Sequence, residues 1–544
     1  MRLTGMRGSR KPGPRNLRGQ ALILFLVAIG VLCLGVILLF DTSQVVNKKV
    51  RLTNTADAAA YSVAVQQAKA YNFAAYMNRA RVGNEVAIAQ MVSMWSWLNM
   101  LHTHTRVGQN TFTYLSVIPV VGGFFAALAR AYGIAERVVG TARNFYFRGT
   151  SLNNAIPGAE GGMVSLLSSV NGIYSTATQV VLDYVGLYDG WRIAEEVVAQ
   201  NDSTAQLSMA SHGLLLDQLR IATGHEVPGF RSPLLDRHVR PTESGVNHDG
   251  MNRFRNVVMG SRDYFTADRG QNVRLGPIRG GTFGGTDMLD YDRWAGLDTM
   301  DVRISLPRPF SDLELPLGWG GAQAVRSGSP DFLPGIQAAS DGGPGWYSYF
   351  HGSHDYPQYG DSAGSTARLA DQYPSVNTPW LWGQVNYFTQ RDDAYYRDYG
   401  GLQPYYDVKP QVAVPPDDED GRPDENAGPV FTIYLYSDIE DARTSEAIDG
   451  MGSAGVDGPL HLETETIPGE RITALASAQT YFHRPRDRDR VFQRLVPREW
   501  NGTPTADDQL EMGSLFSPYW QARLIDTPLS LYSVIGIDQL IGGP

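Results

Sequence analysis

One cysteine in 544 residues excludes a disulfide framework within the chain. That cysteine, Cys33, lies inside an apolar run, so the remainder must be held by core packing, by partners or by ions. Basic excess is also missing. Lys and Arg number 46 against 56 Asp and Glu, a net charge of −10, which excludes a nucleic-acid-binding surface. Charged residues are scarce at 19%, yet aromatics at 10% exclude wholesale disorder. No G-x-x-x-x-G-K-[ST] occurs, so a P-loop nucleotide site has no support, and no G-x-S-x-G nucleophile elbow occurs either. Two local absences say most. Residues 1–20 hold no Asp or Glu, and residues 21–40 hold no charge and no proline.

What fills those two stretches is a membrane signal. The leader carries Arg2, Arg7, Arg10, Lys11, Arg15 and Arg18. Residues 21–40 read ALILFLVAIGVLCLGVILLF, and twenty residues at 1.5 Å each span roughly 30 Å, the thickness of a bilayer core. A cleavable signal peptide would have a shorter apolar core and a small-x-small site after it; here the run flows into DTSQVVNKKVRL. The expectation is a retained single-pass anchor. Positive residues stay cytoplasmic, which places the leader inside and residues 41–544 on the exported side.

The residues beyond the membrane keep a helical habit. Residues 44–81 contain no glycine or proline. Val45, Val46, Val50, Leu52, Ala56, Ala60, Tyr61, Val63, Val65, Ala68, Ala70 and Tyr71 form a broad apolar face, with Asp57 expected toward the polar side. Many alanines favour helix and permit close approach of a neighbour. The pattern predicts one helix crossing the membrane and continuing outward to about Gly83, packed on its own domain or on other subunits.

Arg18-Gly19-Gln20, the run Ala21–Phe40, Asp41, and then Asn54-Thr55-Ala56-Asp57-Ala58-Ala59-Ala60 resemble the N-terminal module of Flp pilus-assembly proteins of the TadE/TadG type. The likeness covers about residues 15–75. A softer one covers Ala476–Phe482 and Ser517–Leu524, which resemble the C-terminal portion of large TadG-like members. The resemblance implies a bacterial inner-membrane protein of the tight-adherence (Tad) pilus system. Its N-terminus would be cytoplasmic and its bulk periplasmic, in contact with other pilus-assembly or pilin subunits and a candidate to self-associate through its first helix. Two departures shape the reading. Leu24 stands at the fifth position after Gly19, where a processed prepilin has glutamate, so an anchored assembly protein is favoured over a major pilin. Asp41-Thr42-Ser43-Gln44-Val45 lacks the second serine of a von Willebrand type A ion site, and no such domain is assigned.

Four segments are expected: a basic cytoplasmic leader over 1–20, a transmembrane helix over 21–40, a helix-rich periplasmic stalk or bundle over 41–223, and a loop-rich α+β or β-rich periplasmic domain over 224–544. The fold class is α+β. Residues 114–129, YLSVIPVVGGFFAALA, are uncharged but short for a second span, and a buried helical pair is expected. Helices are expected over 162–220, with breaks at Gly190 and Asn201-Asp202-Ser203. After Gly224 long helical patterns give way to turns at Pro228-Gly229, Gly280-Gly281, Gly284-Gly285, Gly318–Gly321 and Gly342-Gly343. Strands are expected at Met300–Leu306, Val430–Tyr436, whose one face is aromatic, and Arg471–Phe482. Phe516, Pro518, Tyr519, Trp520 and Leu524 are expected to dock the tail.

Candidate sites reduce to structural readings. Gly450–Gly455 matches G-x-G-x-x-G but follows DARTSEAID and runs into VDGP, a loop context. The acidic loop 414–429 fails as an EF-hand: with Gly421 sixth, Pro416 is first and Ala427 twelfth. Its Asp417, Asp418 and Asp420 read as a solvated face. His102-Thr103-His104 and His351-Gly352-Ser353-His354-Asp355 are close histidine pairs without a marked further ligand, and His225-Glu226 lacks the second histidine of H-E-x-x-H. No catalytic, cofactor or metal residue is assigned. The expected function is therefore non-catalytic, acting through protein contacts in Tad/Flp pilus assembly. The alternatives are a minor pilin or pilus-associated adhesin, and an anchored periplasmic hydrolase with His351 or His354 in its pocket.

Overall fold

The structure, a computed structural model, describes residues 18–151, 162–224, 228, 233–240, 249–267, 269–305, 313–326, 395–409, 428–442, 471–482, 513–528 and 531. It is organised around one helix, α1, Arg18–Leu115. Its 98 residues give a rod on the order of 150 Å long. Gly83 does not end it, because that position is open and neighbouring turns are pinned by tertiary contacts. The end comes at Ser116–Val121, where Ser116 Oγ donates to Thr113 O at 2.6 Å and Pro119 has no N–H to continue the ladder. α2, Gly122–Ser151, then runs back along α1. Phe112 meets Phe125, Trp95 meets Phe147, and Tyr146 Oη donates to Met91 O at 3.4 Å, an antiparallel pairing. At one crossing only glycine fits: a Cβ on Gly108 would lie 2.2 Å from the Tyr132 ring.

α3 (Gly162–Asp183) continues into a π-helical turn, Tyr184–Asp189, and α4 (Gly190–Asn201) follows. Gly190 thus begins a helix and does not interrupt one, whereas Asn201-Asp202 does end α4. β1 (Gln206–Leu207) and α5 (Met209–Thr223) close the helical run. Then come β2 (Leu235–His238), α6 (Asp249–Gly260), α7 (Tyr264–Ala267), β3 (Gln271–Leu275), β4 (Ile278–Asp290), β5 (Arg293–Ile304) and β6 (Leu313–Arg326). They are followed by β7 (Tyr395–Tyr399), β8 (Tyr405–Val408), β9 (Val430–Asp438), β10 (Arg471–Phe482) and β11 (Trp520–Ile525). The class is α+β, as the sequence implied.

Three sheets lie along α1 in order from its N-terminal end. The first is antiparallel, β1-β9-β10-β11, against the Leu52–Ala64 stretch. The second is the β2–β8 pair, beside Ala68–Ala74. The third has the order β3-β4-β5-β6-β7, with only β6 and β7 parallel, and packs against Val82–Trp95. The strands at Val430–Tyr436 and Arg471–Phe482 fall where periodicity put them, paired Thr432↔Ser477 and Tyr434↔Leu475. The inner face of β9 is Phe431, Ile433 and Leu435 rather than an aromatic row, each fully buried. Its free edge is covered by α5: Ser211 Oγ accepts from Tyr434 N and Gln218 Oε1 from Thr432 N.

Several turn assignments are corrected. Gly280-Gly281 and Gly284-Gly285 lie inside β4, and Gly318–Gly321 lies inside β6. In β6, Gly318 and Gly320 serve close approach to α1 instead of chain reversal, while in β4 Gly280 faces Val302 of the neighbouring strand. The α6 helix is a second correction, since long helical patterns do not stop at 224. The expected buried pair at 114–129 is also overturned: Val117, Ile118, Val120, Val121 and Phe124 are exposed at the hairpin tip. The stalk packs on its own chain. Leu52, Ala56, Ala60, Val63, Ala68 and Tyr71 are buried, while Val46, Val50 and Tyr61 are not. Each fully buried Leu- or Val-sized side chain contributes about 1.5–3 kcal/mol. Asp57 sits half-buried, and burial raises its carboxyl above the ordinary value.

Candidate functional site

Leu22–Phe40 project their apolar side chains outward from α1, with Cys33 exposed among them. Among the described residues α1 is one helix long and apolar enough to cross a membrane. Eleven residues after Asp41 the same helix is already fully buried at Leu52, so the folded part begins close to the apolar segment.

From there α1 is fastened by polar side chains on its packed faces. Lys48 Nζ lies 2.9 Å from Asp202 Oδ2 at the end of α4. Burial alone would raise the Asp202 carboxyl, but hydrogen bonds from Lys48 and Thr204, with the Lys48 charge, hold it below its ordinary 3.8. Asn72 exchanges two 2.9 Å bonds with the Trp520 backbone, and the Trp520 ring meets Tyr71 edge-on at 4.9 Å. Phe516 and Trp520 dock the tail as expected, joined by the buried Leu515, while Leu524 stays exposed. Thr480 Oγ1 donates to Ala64 O at 2.8 Å, and Asn78 Nδ2 to Leu515 O at 2.8 Å.

Glu85 is the centre of the distal half. Its carboxylate is fully enclosed and accepts from Asn171 Nδ2 at 2.9 Å, Trp294 Nε1 at 3.0 Å and Tyr399 Oη at 2.7 Å. One side chain of α1 therefore ties together α3, β5 and β7. Burial raises the Glu85 pKa, and the three donors and the Arg81 charge act against that rise. Burial also lowers Arg81, to about 10. About three turns further on, Ser96 Oγ donates to Asp298 Oδ2 at 2.5 Å, and Arg269 grips the same carboxylate at 2.6 and 2.9 Å. Asn99 Nδ2 donates to Gly321 O at 2.8 Å. Glu85, Ser96 and Asp298 are buried and hydrogen-bonded to neighbours, which suits them to holding elements in place.

The sequence singled out none of these clamps as a site. A signal existed: Asn78, Arg81 and Glu85 share one face of an otherwise apolar helix, a placement that demands partners. The histidines that were singled out do not converge. His102 Nε2 faces Glu136 of α2 at 3.1 Å, while His104 Nδ1 faces Leu317 O of β6 at 3.2 Å. Burial lowers both, aided at His102 by the Arg143 charge. His225-Glu226, His351, His354, Asp355, Gly450–Gly455 and Asp417, Asp418 and Asp420 lie outside the described residues. Among the described residues no group of three or more His, Cys, Asp or Glu is placed to hold a metal ion.

The Lys48–Asp202 clamp makes a testable case. Asp202→Asn leaves a buried ammonium without its counter-charge and should cost about 1–3 kcal/mol near neutral pH. Because the folded carboxyl is depressed, its stabilisation is present above the ordinary value and is lost as pH falls through the folded one. The gap between wild-type and variant melting temperatures should therefore narrow below about pH 4. A gap that stays constant from pH 7 to pH 3 would refute the assignment.

The backbone at the hairpin tip is strained. Val120 is fully exposed with φ of 74°, a left-handed conformation that a β-branched residue rarely adopts.

No curated protein and no solved structure is similar to this chain. Residues 19–67, the apolar segment and the first part of α1 beyond it, match the Tad family model, described as "Putative Flp pilus-assembly TadE/G-like".

Proposed function

We propose that the protein is a non-catalytic component of a Tad/Flp-type pilus-assembly apparatus. It is anchored in the bacterial inner membrane by residues 21–40, with a cytoplasmic N-terminus and a periplasmic bulk. The observation that carries this reading is the match of residues 19–67 to the pilus-assembly family, on a helix that runs unbroken from the apolar segment to Leu115. The six-charge, acid-free leader supports the orientation. A non-catalytic role is supported by the use made of the buried titratable groups. Glu85 and Asp298 are consumed in fastening strands to α1 and present no carboxylate to a substrate. The work left to the molecule is mechanical: a rod set at one end in the membrane, carrying protein surface outward, with pilin or pilus-assembly subunits as the bodies it meets.

Crosslinking in native membranes, affinity capture of the full chain and mass spectrometry of what comes with it test the proposal. Pilus platform, secretin or pilin subunits are expected among the captured proteins. Recovery of the chain alone, together with unchanged pili and adhesion in a deletion strain, would defeat it.

A further inference from the structure

α2 carries a stripe that none of the described residues covers. Phe124, Ala127, Ala131, Ile134, Val138, Thr141 and Phe145 recur at alternating spacings of three and four, and all are exposed. The large members are open to solvent: Phe124 at 66%, Ile134 at 61%, Val138 at 63% and Phe145 at 79%. The opposite face of the helix is spent on α1, through Phe125, Tyr132, Glu136 and Phe147. A two-in-seven stripe is the seam of a coiled coil, narrower than the face a globular core uses, and it selects another helix as its cover.

We infer that this stripe pairs with the same stripe of a second copy of the chain, as a parallel, in-register helix pair. Two observations choose that occupant. First, α2 lies antiparallel to α1, whose far end is the apolar segment, so the stripe stands along the membrane normal. A lipid surface parallel to the anchoring bilayer could not cover it. A second copy anchored in the same bilayer presents its own stripe at the same height and in the same direction; this step rests on the anchoring proposed above. Second, the flanking charges fit that register. Arg130 and Arg137 border the stripe on one side. In a parallel pair they lie opposite Ala135 and Ala142 of the second copy, whereas an antiparallel pair would bring Arg130 against Arg137. The resulting contact is isologous, about a two-fold axis normal to the membrane, with Phe124, Ala131, Val138 and Phe145 each meeting its own counterpart.

The test uses full-length chain in membranes, in a Cys33→Ala background that removes the native thiol. Ala127→Cys and Thr141→Cys are placed near opposite ends of the stripe, and Gln200→Cys on exposed α4 is the control. Under mild oxidation each of the first two variants should alone give a disulfide-linked species of twice the chain mass, and the control should not. Adding Ile134→Asp, an exposed change that spares the fold of one copy, should reduce the linked fraction roughly tenfold or more. Absence of the linked species from both stripe variants overturns the inference. So does linkage only when the two variants are mixed, which marks an antiparallel pair, or an adduct of another mass, which marks a different protein. Alkaline carbonate extraction of the same membranes reads the anchor separately. Chain that stays in the pellet yet does not link defeats the pairing alone, and chain released into the supernatant defeats the anchor and the parallel arrangement with it.

Discussion

Gly320→Ala is expected to lower stability by about 3 kcal/mol or more, a large effect for one methyl group. The added Cβ would lie 2.2 Å from Met100 N, 2.6 Å from Asn99 C and 2.7 Å from Ser96 O. All three are backbone atoms of α1, so no side chain can swing aside. Gly318 and Gly296 meet the same helix nearby, through Met100 O and His104 at one and Val92 and Ser96 at the other. The sheet therefore rests on the helix backbone to backbone at β6, while β5 meets it at Gly296 through the Val92 and Ser96 side chains. Moving it outward would stretch the Asn99–Gly321 hydrogen bond and expose Trp294, which is fully buried. Gly172→Ala in α3 supplies the contrast, since nothing lies within 4 Å of its new Cβ. A helical glycine there should gain about 0.5–1 kcal/mol on becoming alanine. Thermal denaturation of the detergent-solubilised chain separates the two, and equal melting temperatures for both variants would refute the backbone contact.

Glu85→Ala is expected to cost about 3–5 kcal/mol, because it strands Asn171 Nδ2, Trp294 Nε1 and Tyr399 Oη without their acceptor and takes away the charge that faces the buried Arg81. Glu85→Gln should cost less. Its amide oxygen can still serve Trp294 and Tyr399, but its NH₂ then confronts Asn171 Nδ2, whose own Oδ1 is already taken by Asn84 at 2.8 Å. The pH dependence has a definite sign. Burial holds the folded Glu85 pKa above its ordinary 4.5. The folded state then binds the proton more tightly, so this group's contribution is greatest below the unfolded value and declines as pH rises through the folded one. The wild-type advantage over Glu85→Ala should therefore shrink on going from about pH 4 upward. Denaturant melts at a series of pH values test this, and an advantage that grows with pH would show that the carboxylate's hydrogen bonds outweigh its burial.

Both predictions concern contacts that tie α1 to segments 86 or more residues away, and this is where the sequence stopped being readable. The apolar run, the acid-free leader and the Asn54–Ala60 string are local patterns with direct physical meaning, and they are enough to mark a candidate membrane span and the pilus-assembly likeness. Strands β9 and β10 were legible for the same reason: alternation is local, and burial on a pleated sheet follows it. The glycine pairs were misread because glycine serves two ends, reversing a chain and letting backbones touch. The choice between them depends on what lies opposite, which for Gly318 and Gly320 is the α1 backbone at Ser96, Asn99 and Met100. Gly83 likewise marks a helix end by local sequence alone, yet α1 continues through it to Leu115.

The sequence by itself determined a long amphipathic start fit to leave a membrane and an α+β remainder without disulfides. Only the tertiary structure decided that α1 serves three sheets as a common spine, that Glu85 is a hub, and that residues 114–129 form an exposed tip. It alone decided which apolar stripe remains uncovered. The reason is that burial is a property of pairs of surfaces: α1 and α2 both carry apolar faces in the sequence, and which of them is left open depends on where strands drawn from residues 271–525 come to rest.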